Sequence, residues 1–208
     1  ALSLVAEERG ILENGSNRQP GYLKGVDSNF QSVSGVGSAI EHGKFDVGTA
    51  DQPLGVLGAG LEYTLGVQAD RELLPLGVYL FRRGTTNGNG SINFSADPMN
   101  SFNHESMATA GTFRIQEEFD DNYVITNIGF IKRMLGLGPD EYTAAELSVD
   151  NPAQTIPVSQ LIAQALGSDY TIQTRYQQNQ SLYNVMSTEK WVIYVVLTLI
   201  LAVAAFNM

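Results

Sequence analysis

Residues 123–136, YVITNIGFIKRMLG, carry the clearest local signal in the chain. Residues 123–125 read as a strand, Asn127 is a side chain suited to cap a helix over Ile128–Leu135, and Gly136 closes that helix. Further along, residues 145–149 read as a strand, residues 158–166 as a helix closed by Gly167, and residues 170–176 as a strand. This alternation predicts an α+β sheet with helices on one face.

Working back from that stretch, the beginning of the chain reads as a hairpin. Residues 9–13 run into the turn Asn14-Gly15-Ser16-Asn17, and residues 21–26 return. Residues 44–49 are expected as a short strand. In residues 55–66, GVLGAGLEYTLG, the leucines 57, 61 and 65 recur every four positions before a final glycine, which predicts a short helix after a strand. The glycines there match neither a dinucleotide fingerprint nor a phosphate loop. Residues 71–81 read as a strand edged at Pro75, and residues 82–110 as a long polar loop holding isolated apolar residues. Residues 111–116 are expected as a further strand, and the acidic run 117–121 as a solvated turn without the ligand spacing of a calcium loop.

With 22 acidic against 12 basic side chains the net charge is −10, so a phosphate backbone would be repelled and nucleic acid is a poor partner. There is no cysteine, which removes disulfides, thiolate metal sites and cysteine nucleophiles. The two histidines, His42 and His104, stand alone, without zinc-ligand spacing, and no G-x-S-x-G elbow is present. No catalytic residue, cofactor site or metal site is assigned, and the chain is not expected to be an enzyme.

The other end of the chain is different in kind. Trp191 to Met208, WVIYVVLTLILAVAAFNM, has no charge, and as a helix it would rise about 27 Å, near the thickness of a bilayer core. Glu189 and Lys190 are the last charges before it, and Trp191 stands where an interfacial anchor belongs, so these three mark the expected membrane entry. A buried central helix is the alternative, but an amphipathic surface helix would need a polar stripe that is missing here. In residues 178–190, Leu182, Val185 and Met186 recur at helical spacing and predict a stalk helix leading into the span. The absence of an initiator methionine, of a signal peptide and of a polar end predicts a piece of a longer protein.

The order of residues 183–208 resembles the junction between periplasmic domain and second membrane helix in lipoprotein-releasing (Lol-type) permeases, members of the FtsX/MacB-like permease superfamily. Glu189-Lys190 and the ending Val203-Ala204-Ala205-Phe206-Asn207 carry most of that likeness. Leu23-Lys24-Gly25-Val26-Asp27 resembles a strand end of these permeases, and Gly60-Leu61 through Leu65-Gly66-Val67 one of their helices, with Ala69-Asp70 in place of the usual Gly-Asp. Ala110-Gly111-Thr112-Phe113, Asp120-Asp121 and Tyr123-Val124-Ile125 follow in the same order.

The resemblance implies a two-lobed periplasmic domain on the bacterial inner membrane: a β-rich distal lobe over residues 1–121 and a porter-like α+β lobe over 122–177. A stalk over 178–190 and the start of a transmembrane helix over 191–208 would follow. It implies an ABC ATPase as a separate cytosolic subunit, a second permease copy or paralogue, a lipoprotein cargo and a periplasmic lipoprotein carrier. By position the carrier contact would fall on residues 82–105, with Arg82, Arg83, Phe94, Met99 and Phe102 as its side chains. MacB-type efflux or mechanotransmission to a periplasmic partner is the alternative within the superfamily. A tail-anchored binding domain without an ATPase is the alternative outside it.

Overall fold

The strand of residues 123–127 sits between two others in a mixed sheet. In a computed structural model, residues 1–68, 75–81, 102–178 and 191–200 are described. The sheet strands are β1 (Leu2–Asn14), β2 (Asn17–Val26), β3 (Ile40–Gly43), β4 (Leu54–Gly58), β5 (Leu76–Phe81), β6 (Phe102–Phe113), β7 (Tyr123–Asn127) and β8 (Ala144–Leu147). Between them lie the helices α1 (Phe30–Ser34), α2 (Ala59–Leu65), α3 (Glu117–Asp120) and α4 (Ile128–Leu135). Two compact units divide the chain, Ala1–Ser148 and Val149–Met208.

The sheet runs in the order β2-β7-β4-β6-β5-β1-β8, with β3 on β6, and β1 also pairs with β2. That last pairing closes six strands into a ring. β2 and β7 are parallel, as are β4 and β6, while the other pairs are antiparallel. Strand alternation sends Leu23, Leu57, Val78 and Val124 to one side, where they pack with Leu61 and Leu65 of α2 and with Phe130, Ile131 and Met134 of α4. The other side carries Val5, Val26, Val56, Phe113 and Ile125, packed with Phe30 of α1 and with Val36. Helices therefore cover both faces, not one: α2 and α4 share a face, and α1 roofs part of the opposite one.

The best-read segment folds as its residues dictate. The Asn127 side chain accepts a hydrogen bond from Gly129 N at 2.8 Å, and Gly136 takes a left-handed conformation at φ 70° that ends α4. Gly66 ends α2 in the same way, at φ 64°. The hairpin turns at residues 15 and 16, with β1 starting earlier and β2 longer than expected.

Five expectations are corrected. Residues 44–49 are not a strand: the Asp46 side chain accepts from Gly48 N at 3.0 Å, a local turn that competes with sheet pairing, and the strand lies just before, at β3. Residues 55–58 belong to β4, so the leucine spacing of a helix begins only at Leu61. The expected loop 82–110 gives way at Phe102 to β6, whose polar side chains fall on both faces and hide its alternation. The run 117–121 holds α3, in which Asp120 is buried and accepts from Ile115 N at 2.8 Å. Finally, residues 170–174 form no strand, and α6 (Arg175–Gln178) follows. Thr174 and Gln177 make a reciprocal capping box there: Gln177 Oε1 accepts from Thr174 N at 2.8 Å, and Thr174 Oγ1 accepts from Gln177 N at 3.4 Å.

In the unit from Val149 on, α5 (Thr155–Leu166) begins three residues before the expected start and ends at Gly167 as read. Residues 191–200 are helical and exposed. Among the described residues no helix is long and apolar enough to cross a membrane. The strands on either side of residue 121 share one sheet, so no break between compact units falls there.

Candidate functional site

Phe102, the one expected carrier-contact residue that is described, begins β6 at the end of the β5–β6 hairpin. It stands opposite Phe81, with the ring centroids 4.4 Å apart and the planes tilted by 40°. Two residues further in, Tyr79 stacks on His104 at 4.3 Å. Four rings in two cross-strand pairs therefore mark the end of the hairpin from which residues 82–101 depart. Arg82, Arg83, Phe94 and Met99 lie outside the described residues.

The opposite face of this hairpin is fastened to α4. Arg133 Nη2 donates to Glu105 Oε2 at 2.7 Å and Arg133 Nε to Glu105 Oε1 at 3.3 Å, a two-pronged contact. Its hydrogen bond to Glu105 holds the Arg133 guanidinium pKa above its ordinary value. Asn103 Nδ2 donates to the Met134 carbonyl, and Arg133 Nη1 to the Ala50 carbonyl at 2.7 Å. With one face bound to a helix, the aromatic pairs on the other face have a fixed backbone beneath them.

A second constellation lies around Lys24 of β2, which stands opposite Glu7 of β1. Its ammonium donates to Glu146 Oε1 of β8 and lies 3.7 Å from Glu7 Oε2 of β1. The Tyr123 hydroxyl donates to Glu7 Oε1 at 3.2 Å; burial pushes the pKa of that hydroxyl up, and the Glu7 carboxylate adds to the shift. The Lys24 ammonium also lies 5.4 Å from the ring centroid of Phe30. On the edge of β1 between β8 and β5, Thr143 Oγ1 accepts from Glu7 N at 2.7 Å and donates to the Val5 carbonyl at 3.1 Å. β8 is thereby held to the ring immediately before the second unit begins. In the sequence Lys24 stands out only within a motif, and a lysine sharing a strand face with Val26, with Leu23 on the other face, is the available signal.

Of the expected membrane-entry residues, Glu189 and Lys190 lie outside the described residues, and Trp191 is 72% exposed at the start of the helical residues 191–200. Two surface hollows of about 430 and 610 Å³ adjoin at Ala59, Tyr63 and Arg114. Among the described residues no cluster of three histidine or carboxylate side chains is spaced to hold a metal ion.

No known protein-family model matches the chain. Over 205 residues, 95% of its length, it is 25% identical to the lipoprotein-releasing system transmembrane protein LolE of Haemophilus influenzae, and it spans 44% of that protein. Among solved structures it is similar to the extracellular domain of the noncanonic ABC-type transporter YknZ from Gram-positive bacteria. That match has a TM-score of 0.51 at 10% identity and covers 83% of this chain and 80% of that one. The periplasmic region of MacB from Actinobacillus actinomycetemcomitans matches at a TM-score of 0.48 and 12% identity, over 88% of this chain and 76% of that one. In fold, the chain is thus similar to the extracellular domain of an ABC-type transporter.

Proposed function

We propose that the chain is the extracytoplasmic part of a permease subunit of an ABC transporter, of the type that releases lipoproteins from the bacterial inner membrane. The observation that carries this reading is the collinear similarity to a lipoprotein-releasing system protein along 95% of the chain. The fold shared with a transporter's extracellular domain supports it independently.

In this reading residues 191–208 begin a membrane helix with Glu189, Lys190 and Trp191 at its entry, and residues 178–190 form a stalk. An ATPase in a separate cytosolic subunit drives the cycle, a second permease copy or paralogue completes the pair, and the chain itself hydrolyses nothing. Residues 1–121 correspond to a distal lobe and 122–177 to a porter-like lobe. The hairpin end at Phe102, with Arg82, Arg83, Phe94 and Met99, contacts a soluble lipoprotein carrier.

The test is reconstitution of the full-length gene product with its ATPase in vesicles holding a fluorescent lipoprotein. ATP-dependent transfer to a soluble carrier is expected, with an Arg82→Ala/Arg83→Ala variant slowed. ATP turnover without lipoprotein release would overturn the cargo assignment. A second reading, efflux or mechanotransmission, draws on the likeness to a noncanonic ABC-type transporter, and ATP-dependent export of a small molecule in the same vesicles would favour it.

A further inference from the structure

The face of the sheet on which Phe30 of α1 packs is covered by that helix at one end. Beyond Val5 and Val26 no described helix packs on it, and the strand registers set its side chains in rows. Pro20 of β2 stands opposite Ile11 of β1, Ile11 opposite Tyr79 of β5, and Tyr79 opposite His104 of β6. In the next row Tyr22 faces Arg9, and Phe81 faces Phe102. Residues directly opposite one another project to the same side. Four neighbouring strands therefore present one apolar and aromatic strip, on which Phe81 remains 56% and Tyr22 36% exposed.

Within this strip stands one arginine. Arg18, Lys24, Lys44, Arg114 and Arg133 each meet a carboxylate, and Lys132 meets the Pro139 carbonyl and the Tyr142 ring. Among the described cations of residues 1–148, the exposed Arg9 side chain is the one without such a partner. An arginine amid tyrosine and phenylalanine is the residue mixture in which binding energy concentrates at protein interfaces.

We infer that this strip docks a protein partner that presents a carboxylate between apolar side chains. An apolar partner alone would bury the Arg9 charge unpaired, which is costly, whereas a carboxylate completes a charge-assisted pair. A membrane surface fits poorly, because anionic headgroups are attracted by clusters of basic residues and this chain has a net charge of −10. A second copy meeting it about a two-fold axis would bring Arg9 toward its own equivalent. The inference stands on the register and on Arg9, so it does not depend on the transporter reading.

The test uses the full chain and three fluorescent peptides that differ only at the centre: Leu-Asp-Phe, Leu-Asn-Phe and Leu-Lys-Phe. The aspartate peptide is expected to bind about tenfold tighter than its asparagine counterpart, the scale of one charge-assisted pair. Arg9→Gln should erase that difference, Tyr79→Ala should weaken both, and Tyr63→Ala, on a distant exposed residue, should alter neither. Arg9 is exposed, so its variant is expected to fold normally. The proposal is overturned if no peptide binds, if the aspartate and asparagine peptides bind equally, or if lysine is preferred. It is equally overturned by binding to phosphatidylglycerol vesicles in place of peptide, by self-association that Arg9→Gln abolishes, or by binding only after residues 82–101 are replaced with a tight turn.

Discussion

Replacing Lys24 with methionine is the most informative perturbation of the ring, because the lysine joins three strands through one ammonium. Its side chain is 17% exposed and that of Glu146 33%, so the pair lies between a surface bridge and a buried one. A charged hydrogen bond in such a place contributes about 1–2 kcal/mol, and removing the cation leaves Glu7 and Glu146 facing each other without it. Lys24→Met should therefore cost about 1–2 kcal/mol in urea unfolding of the full chain. Glu146→Gln should cost less, since Lys24 keeps Glu7, and the double variant should fall short of the sum by about 0.5–1 kcal/mol. Native-state hydrogen exchange should place the loss at residues 2–5 and 144–147, where β8 has four residue pairs with β1 and three exposed side chains of its own. A loss spread evenly over the ring, or a Glu146→Gln effect as large as that of Lys24→Met, would refute the view that this ammonium pins β8.

Three further outcomes follow from particular contacts. Asn127→Ala removes the cap of α4 and should lower stability by about 1 kcal/mol, measured by urea unfolding, with Asn127→Ser restoring most of it. Gly25→Ala would place a methyl 2.8 Å from Ile131 Cγ1 and 3.0 Å from the Ile128 Cα; α4 has to shift off β2, and a loss of about 1–3 kcal/mol in thermal or urea unfolding is expected. Burial alone would raise the pKa of Asp27, but hydrogen bonds from Leu4 N, the Ser3 hydroxyl, Asn29 N and Phe30 N hold it below 3.8. The folded value being the lower one, this contribution is fully present above the unfolded value and is lost as pH falls through the folded value. Asp27→Asn should therefore flatten the acid limb of the stability curve below about pH 4, as read by circular dichroism.

What could be read from the sequence was what local chemistry determines. Asn127 and Gly136 bound a helix by groups within its own first and last turns, and the Asn14 to Asn17 turn is set by its own residues. β6 was missed because Asn103, His104, Glu105 and Ser106 take their meaning from distant neighbours: Glu105 and Asn103 reach α4, while His104 stacks on Tyr79. Asp120 read as solvated because its acceptor role toward Ile115 N exists only once α3 folds back on the end of β6. The Lys24 site had the same disadvantage, since Glu7, Tyr123 and Glu146 are scattered along the chain and meet only across strands. Closure of the ring rests on β1 serving β2 along one edge and β5 and β8 along the other, a pairing no local pattern reports.

Ring closure also bears on how a partner can be recognised. A sheet with open edges can bind an extended segment through its backbone, gaining affinity with little regard for side chains. Here each of β1, β2, β4, β5, β6 and β7 pairs with a neighbour on both edges over part of its length, and the described strands outside the ring, β3 and β8, are four residues each. Recognition by this unit consequently falls to side chains on faces and at connections, and so becomes sensitive to single substitutions. If Arg9→Gln and Tyr79→Ala left partner binding intact while proline substitutions along β8 abolished it, strand addition at that edge would be the mode instead, and the ring would serve only as its support.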